Sequence, residues 1–113
     1  MLKFVVVACR RQDWSREQFR RYVEEVHGAL ALAIPGVRRY VQNFTMPDER
    51  RRPPWDAVIE FWFDDALSME AAWQSAEGRR ATLDNANCMD MERTAWSVVD
   101  EVVVRPGSRG LAG

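Results

Sequence analysis

The run Leu2-Lys3-Phe4-Val5-Val6-Val7-Ala8-Cys9 constrains the fold more than any other stretch of this chain. After Lys3 it is apolar on both faces and rich in β-branched residues, the pattern of a central strand that must be covered from two sides. We place this strand at residues 2–10. Asp13-Trp14-Ser15 then supplies a turn and a helix start, with Ser15 and Gln18 spaced as a capping box. Phe19, Tyr22, Val23, Val26 and Leu30 follow at helical spacing, with charged residues mostly opposite them. This helix is expected to reach about Ala33, weakened by Gly28 and stopped by Pro35-Gly36.

Residues 37–45 alternate as a second strand. One face carries Val37, Arg39, Val41 and Asn43, and the other Arg38, Tyr40, Gln42 and Phe44. Polar residues 46–55 form a loop longer than a tight hairpin needs. Residues 56–63 are the third strand, with Val58, Glu60 and Trp62 on one face and Ala57, Ile59, Phe61 and Phe63 on the other. A second helix starts at Asp64-Asp65, is interrupted at Glu77-Gly78 and resumes to about Leu83. Residues 85–92 read as irregular or one short turn, 95–105 as the last strand, and 106–113 as a flexible tail after a single domain, 1–105.

The order β-α-β-β-α-β is the ferredoxin-like signature: an α+β fold with two helices on one face of a four-stranded antiparallel sheet. The strands carry large apolar groups on both faces, more than two helices can cover. A monomer would expose a patch of the kind that marks an interface. The expectation is a homodimer whose sheets close face to face into a barrel.

Sixteen basic residues against seventeen acidic ones leave a net charge of −1, which draws the chain to neither nucleic acid nor an anionic membrane. Arg50-Arg51-Arg52 lies between Asp48-Glu49 and Pro53-Pro54 and reads as a solvated loop. No run approaches the ~20 apolar residues of a membrane span. Cys9 and Cys88 lack metal or redox spacing and read as buried thiols of a reducing compartment, so a cytoplasmic location is expected.

His27 is the single histidine, and imidazole is the side chain here whose ordinary pKa lies nearest neutrality. It is the candidate for proton transfer. Glu60 is unusual in mid-strand between Ile59 and Phe61, since a buried carboxylate needs partners. Alternation expects Tyr40 and Gln42 beside Glu60 and Trp62, facing the space between sheet and partner subunit. The cluster is either a structural hydrogen-bond network or a ligand-facing wall. No phosphate-binding glycine loop or serine-nucleophile motif is present, and one histidine without an organised carboxylate cluster supports no metal site.

The stretches Phe19-Arg20-Arg21-Tyr22 with Val26-His27-Gly28, Ile34-Pro35-Gly36-Val37-Arg38-Arg39-Tyr40-Val41-Gln42-Asn43, and Trp55-Asp56-Ala57-Val58-Ile59-Glu60-Phe61-Trp62-Phe63 together resemble the EthD family. Ser75-Ala76-Glu77-Gly78 and Val98-Val99-Asp100-Glu101 extend the similarity over about residues 2 to 104. The resemblance implies a dimeric α/β barrel related to muconolactone methylisomerases and to polyketide-tailoring decarboxylases and dehydratases, which need no metal or organic cofactor. It matches His27 to the family histidine and Tyr40 to a pocket tyrosine. Val23 stands where tryptophan is common and Ala57 where glycine is usual.

These readings converge on a cofactor-independent enzyme of small-molecule catabolism or polyketide tailoring. It would isomerise, decarboxylate or dehydrate a small, apolar, oxygenated substrate. His27 is the expected acid or base, and Tyr40 the donor to a developing oxyanion. Arg38, Gln42, Asn43, Glu60 and Trp62 are the candidate substrate-binding residues. The alternatives are a non-catalytic ligand-binding or accessory protein, and a haem-handling protein or cofactorless monooxygenase.

Overall fold

The structure is a computed structural model that describes residues 1–107, so most of the expected tail, 108–113, lies outside the described residues. The strands are β1 (Leu2–Ala8), β2 (Arg39–Phe44), β3 (Ala57–Phe63) and β4 (Ala95–Asp100), hydrogen-bonded in the order β2-β3-β1-β4. Every pair is antiparallel. The doubly apolar run is indeed a central strand. The first helical arm is α1 (Arg16–Tyr22), a wider turn at Val23–His27, and α2 (Gly28–Leu32). The second is α3 (Ala66–Gln74) followed by α4 (Ala76–Cys88). The result is the expected ferredoxin-like α+β fold.

Residues paired across an antiparallel ladder share a face. Tyr40 pairs with Phe61, and Gln42 with Ile59. The helix side of the sheet therefore carries Tyr40, Gln42, Ile59, Phe61, Phe4 and Val6, and these pack with Phe19, Val23, Ile34 and Met69 from the helices. The outer side carries Val5, Val7, Val41, Val58, Glu60 and Trp62. Lys3 on β1 forms ion pairs there with Glu60 and with Glu101, the latter at 3.0 Å, and lies over the Trp62 ring. Burial alone would lower the pKa of the Lys3 ammonium, but hydrogen bonds to Glu60 and Glu101 outweigh it and raise it.

The register corrects the expectation that Tyr40 and Gln42 stand beside Glu60 and Trp62. Alternation assigns residues to two faces within a strand, but a shift of one residue between strands exchanges those faces. Several element boundaries also move: β1 ends at Ala8 rather than 10, and β2 spans Arg39–Phe44 rather than 37–45. The second helix breaks at Ser75, not at Glu77-Gly78: Ser75 is extended (ψ 161°), and its Oγ accepts from the Gly78 N–H at 3.0 Å. Residues 85–88, expected to be irregular, complete α4, where Asp84 is held by Tyr22 and His27 and Cys88 is buried. β4 stops at Asp100 rather than 105, since Asp100 pairs with Leu2 and β1 begins there. Among the described residues no helix is long and apolar enough to cross a membrane.

Candidate active site

The Ser15 cap starts the first arm, its Oγ accepting from the Gln18 N–H at 3.1 Å. A regular helix continuing from Phe19 would turn Val26 inward, as the spacing expects. Instead the helix widens by one residue at Val23–His27, where the Gly28 N–H reaches back to the Val23 carbonyl. Val26 turns out and is 45% exposed, whereas Val23 and His27 are buried. Such single π-turns concentrate at functional sites because they re-aim one side chain.

Gln42 holds the turn from β2. Its Nε2 donates to the Val23 carbonyl at 3.0 Å and to the Tyr40 hydroxyl at 2.8 Å. Gly28 lies against the same amide. A Cβ there would sit 2.9 Å from both Gln42 Nε2 and the Val23 carbonyl oxygen. Gly28→Ala gains up to about 1 kcal/mol of helix propensity, but overpacking of this kind costs about 1–3 kcal/mol. The expected result is a lower melting temperature for Gly28→Ala, measured by circular dichroism. A higher one would show that the turn relaxes freely.

The turn directs His27 against α4. Its Nδ1 lies 2.8 Å from Asp84 Oδ2, and both residues are buried. The other Asp84 oxygen accepts from the Tyr22 hydroxyl at 2.6 Å and from Asn87 Nδ2 at 3.0 Å. Burial would raise the Asp84 pKa, but the hydrogen bonds from Tyr22, Asn87 and His27 outweigh it and hold the group below the usual carboxylate range. Burial and the neighbouring Asp84 push the Tyr22 phenol up to about 12. Asp84 is thus an ionised acceptor, and the ring nitrogen facing it carries the proton. In the imidazole form, a proton on Nδ1 leaves the lone pair on Nε2.

His27 lines a cavity of about 390 Å³ between the sheet and the helices. Phe4, Phe61, Trp73 and Trp96 supply aromatic walls, and Ile34, Ile59 and Met89 aliphatic ones. Trp73 packs edge-on against Phe61 at 5.3 Å and Phe63 at 5.6 Å, and its buried indole N–H has no hydrogen-bond partner among the described residues. The other polar residues on the wall are Thr82 and Asn85. Thr82 donates to the Gly78 carbonyl at 2.8 Å.

Of the residues singled out from the sequence, only His27 lines this cavity. Tyr40 and Gln42 line a separate cleft behind the π-turn with Gly28 and Phe44, and burial raises the Tyr40 pKa. Asn43 and Glu60 meet on the outer face at 2.7 Å, where Trp62 donates to Glu101 at 3.0 Å. Arg38 is exposed and pairs with Asp64 at 2.8 Å. Sequence reasoning missed Tyr22, Asp84, Asn85 and Asn87. The available signal was the polar Asp84-Asn85 pair on the inner side of a helix whose neighbours Ala81 and Cys88 are apolar.

His27, Asp84 and Cys88 bring ligand atoms within 4.8 Å of one another, the one such group among the described residues. Burial and Asp84 push the Cys88 thiol up to about 12, and Nδ1 is already committed to Asp84. A cation held there would need both protons released and would replace the His27–Asp84 bond.

A family model described as the EthD domain matches residues 11–92. No curated protein sequence matches the chain. Among solved structures, the chain is similar to an EthD (ethyl tert-butyl ether) family protein of Bacillus halodurans C-125, with a TM-score of 0.79 and 19% identity over 90% of this chain and 99% of that one. It is also similar to a dimeric ferredoxin-like protein of unknown function from Thermobifida fusca YX, with a TM-score of 0.70 and 12% identity over 88% and 90% of the two chains. A third is the Arabidopsis thaliana protein At3g17210, with a TM-score of 0.70 and 11% identity over 94% and 100%.

Proposed function

The chain belongs to the EthD family, and from that premise we propose that it is an enzyme moving a proton on a small, apolar, oxygenated molecule, without an organic cofactor. One observation carries this reading: a buried imidazole, oriented through Nδ1 by an ionised carboxylate, lines an apolar cavity of ligand size. A base needs its lone pair aimed at the substrate and its ring held still. Asp84 supplies the second condition, and the π-turn supplies the first.

In the reaction, His27 Nε2 takes a proton from a carbon next to a carbonyl, and the C–H electron pair moves to the carbonyl oxygen. The imidazolium is stabilised by Asp84 and returns the proton to another atom. Isomerisation and dehydration differ in where that proton is delivered. Decarboxylation uses the acid form of the same ring to protonate the carbon that loses carbon dioxide.

The assembly proposed with this activity is a homodimer formed by the outer faces of two sheets. Val5, Val7, Val41 and Val58 lie only partly buried on that face, and Val99, paired with Lys3, adds half-exposed apolar surface to it.

Hydrogen–deuterium exchange tests the chemistry. In deuterated buffer with small ketones and lactones, the wild-type protein is expected to exchange a carbon-bound hydrogen beside the carbonyl. The exchange is read by proton NMR and should vanish in His27→Ala. Tight binding of the same compounds with no exchange would identify a ligand-binding protein instead.

A further inference from the structure

We propose that Asn85 recognises the ligand's oxygen, and that the cavity takes neutral aromatic carbonyl compounds rather than their carboxylic acids. This rests on the reading of the His27 cavity as the ligand site. Asn85 is only 8% exposed and lines the cavity, yet its side-chain amide makes no hydrogen bond among the described residues. The amide is open to the cavity rather than sealed among protein atoms, so a ligand oxygen there would meet a free donor beside the unpartnered Trp73 indole N–H.

Asn85 follows Asp84 on α4, and successive residues on a helix point about 100° apart. Asp84 consequently reaches His27 Nδ1 while Asn85 stands on the cavity wall. One turn of helix sets both the orientation of the base and the position of a hydrogen-bond donor. Proton removal by His27 puts negative charge on the conjugated oxygen, and a fixed amide N–H is the group that favours this charge most as it develops. Tyr40, the donor expected from the sequence, lines a different cleft and accepts from Gln42.

The wall also says what the ligand is not. Among the described residues, no arginine or lysine lines the cavity. A carboxylate placed inside would be desolvated with no permanent cation to pair with, which disfavours binding and, of the reactions proposed above, favours isomerisation and dehydration over decarboxylation. A neutral ketone needs only one donor for its oxygen and apolar walls for its rings. Phe4, Phe61, Trp73 and Trp96 supply flat surfaces for such rings, and about 390 Å³ is a small ligand pocket.

Three probes of one shape test this: 2-acetylnaphthalene, 2-naphthoate and naphthalene, each titrated by calorimetry into the wild-type chain and Asn85→Leu. Wild type should bind the ketone at least about tenfold more tightly than either the carboxylate or the hydrocarbon. Asn85→Leu should erase the ketone's advantage over naphthalene while naphthalene binding persists, which shows that the cavity is intact. Exchange of the acetyl hydrogens should fall about 10²- to 10³-fold in the variant. Equal binding of ketone and carboxylate by wild type, or an unchanged ketone preference in Asn85→Leu, overturns the proposal. The two readings separate cleanly. A ketone preference that depends on Asn85 without any exchange leaves this proposal standing and removes the enzymatic one. Exchange that requires His27 and ignores Asn85 does the reverse.

Discussion

Replacing Asp84 by asparagine is expected to slow His27-dependent proton transfer by about 10²- to 10⁴-fold while leaving the chain folded. The two side chains have nearly the same shape, so α4 and the cavity wall need not move. What changes is the proton on the imidazole. Asp84 accepts from Nδ1 at 2.8 Å and leaves the lone pair on Nε2. An asparagine amide in its place donates toward Nδ1, and the ring proton moves to Nε2, where it blocks the lone pair. The imidazolium formed during reaction also loses its counter-charge. The loss should fall on kcat with little change in KM, because the cavity walls are untouched. Loss of the downfield Nδ1–H proton resonance in Asp84→Asn shows that the hydrogen bond is broken, and a fall in kcat with an unchanged melting temperature separates a role in proton transfer from a structural one. His27→Ala should cost as much, and the double variant no more than either alone, since the two residues act as one unit. Turnover at the wild-type rate in Asp84→Asn would falsify the assignment.

The same carboxylate links stability to pH. Its folded-state pKa lies below the ordinary value of 3.8, because hydrogen bonds from Tyr22, Asn87 and His27 outweigh burial. A depressed carboxylate contributes stability in full above its unfolded value and loses it as pH falls through the folded one. The stability gap between wild type and Asp84→Asn should therefore narrow on acidification below about pH 4.

Much of the fold was legible because period and punctuation are local properties. The capping box at Ser15, the stop at Pro35-Gly36 and the four strand patterns each depend on neighbours in the chain. The relation between strands is not local. Nothing in Arg38-Arg39-Tyr40-Val41-Gln42 states that Arg39 rather than Arg38 faces Trp62, and that one-residue difference carries Tyr40 and Gln42 to the helix side. The candidate site suffered for the same reason. His27 was visible through its chemistry, whereas Asp84 lies 57 residues away on a helix whose polar inner residues look like a loop when read alone. The π-turn was invisible too, because the Gln42 amide that bonds its Val23 carbonyl arrives from a separate strand, β2.

The second large effect concerns assembly. If the chain forms the proposed homodimer, Val58→Asp is expected to convert it to a monomer at micromolar concentration, measured by light scattering coupled to size exclusion. Val58 pairs with Val7 on one side and Asn43 on the other, which puts it in the middle of the outer face and away from the cavity. In a lone subunit an aspartate there points toward solvent, so the variant should fold. In a face-to-face dimer it is desolvated, and no cation of β1 or β3 is free to meet it, because Lys3 already serves Glu60 and Glu101. Two-fold symmetry then brings both copies of the substitution into one interface. With several kcal/mol lost for each buried, unpaired carboxylate, the dissociation constant should rise by at least about 10³-fold. Leu67→Asp is the control: Leu67 is 83% exposed on α3, on the helix side of the molecule, and its replacement should leave a dimer. If Val58→Asp stays dimeric, or wild type is already monomeric, the outer face of the sheet is not the interface, and its apolar residues require a different partner.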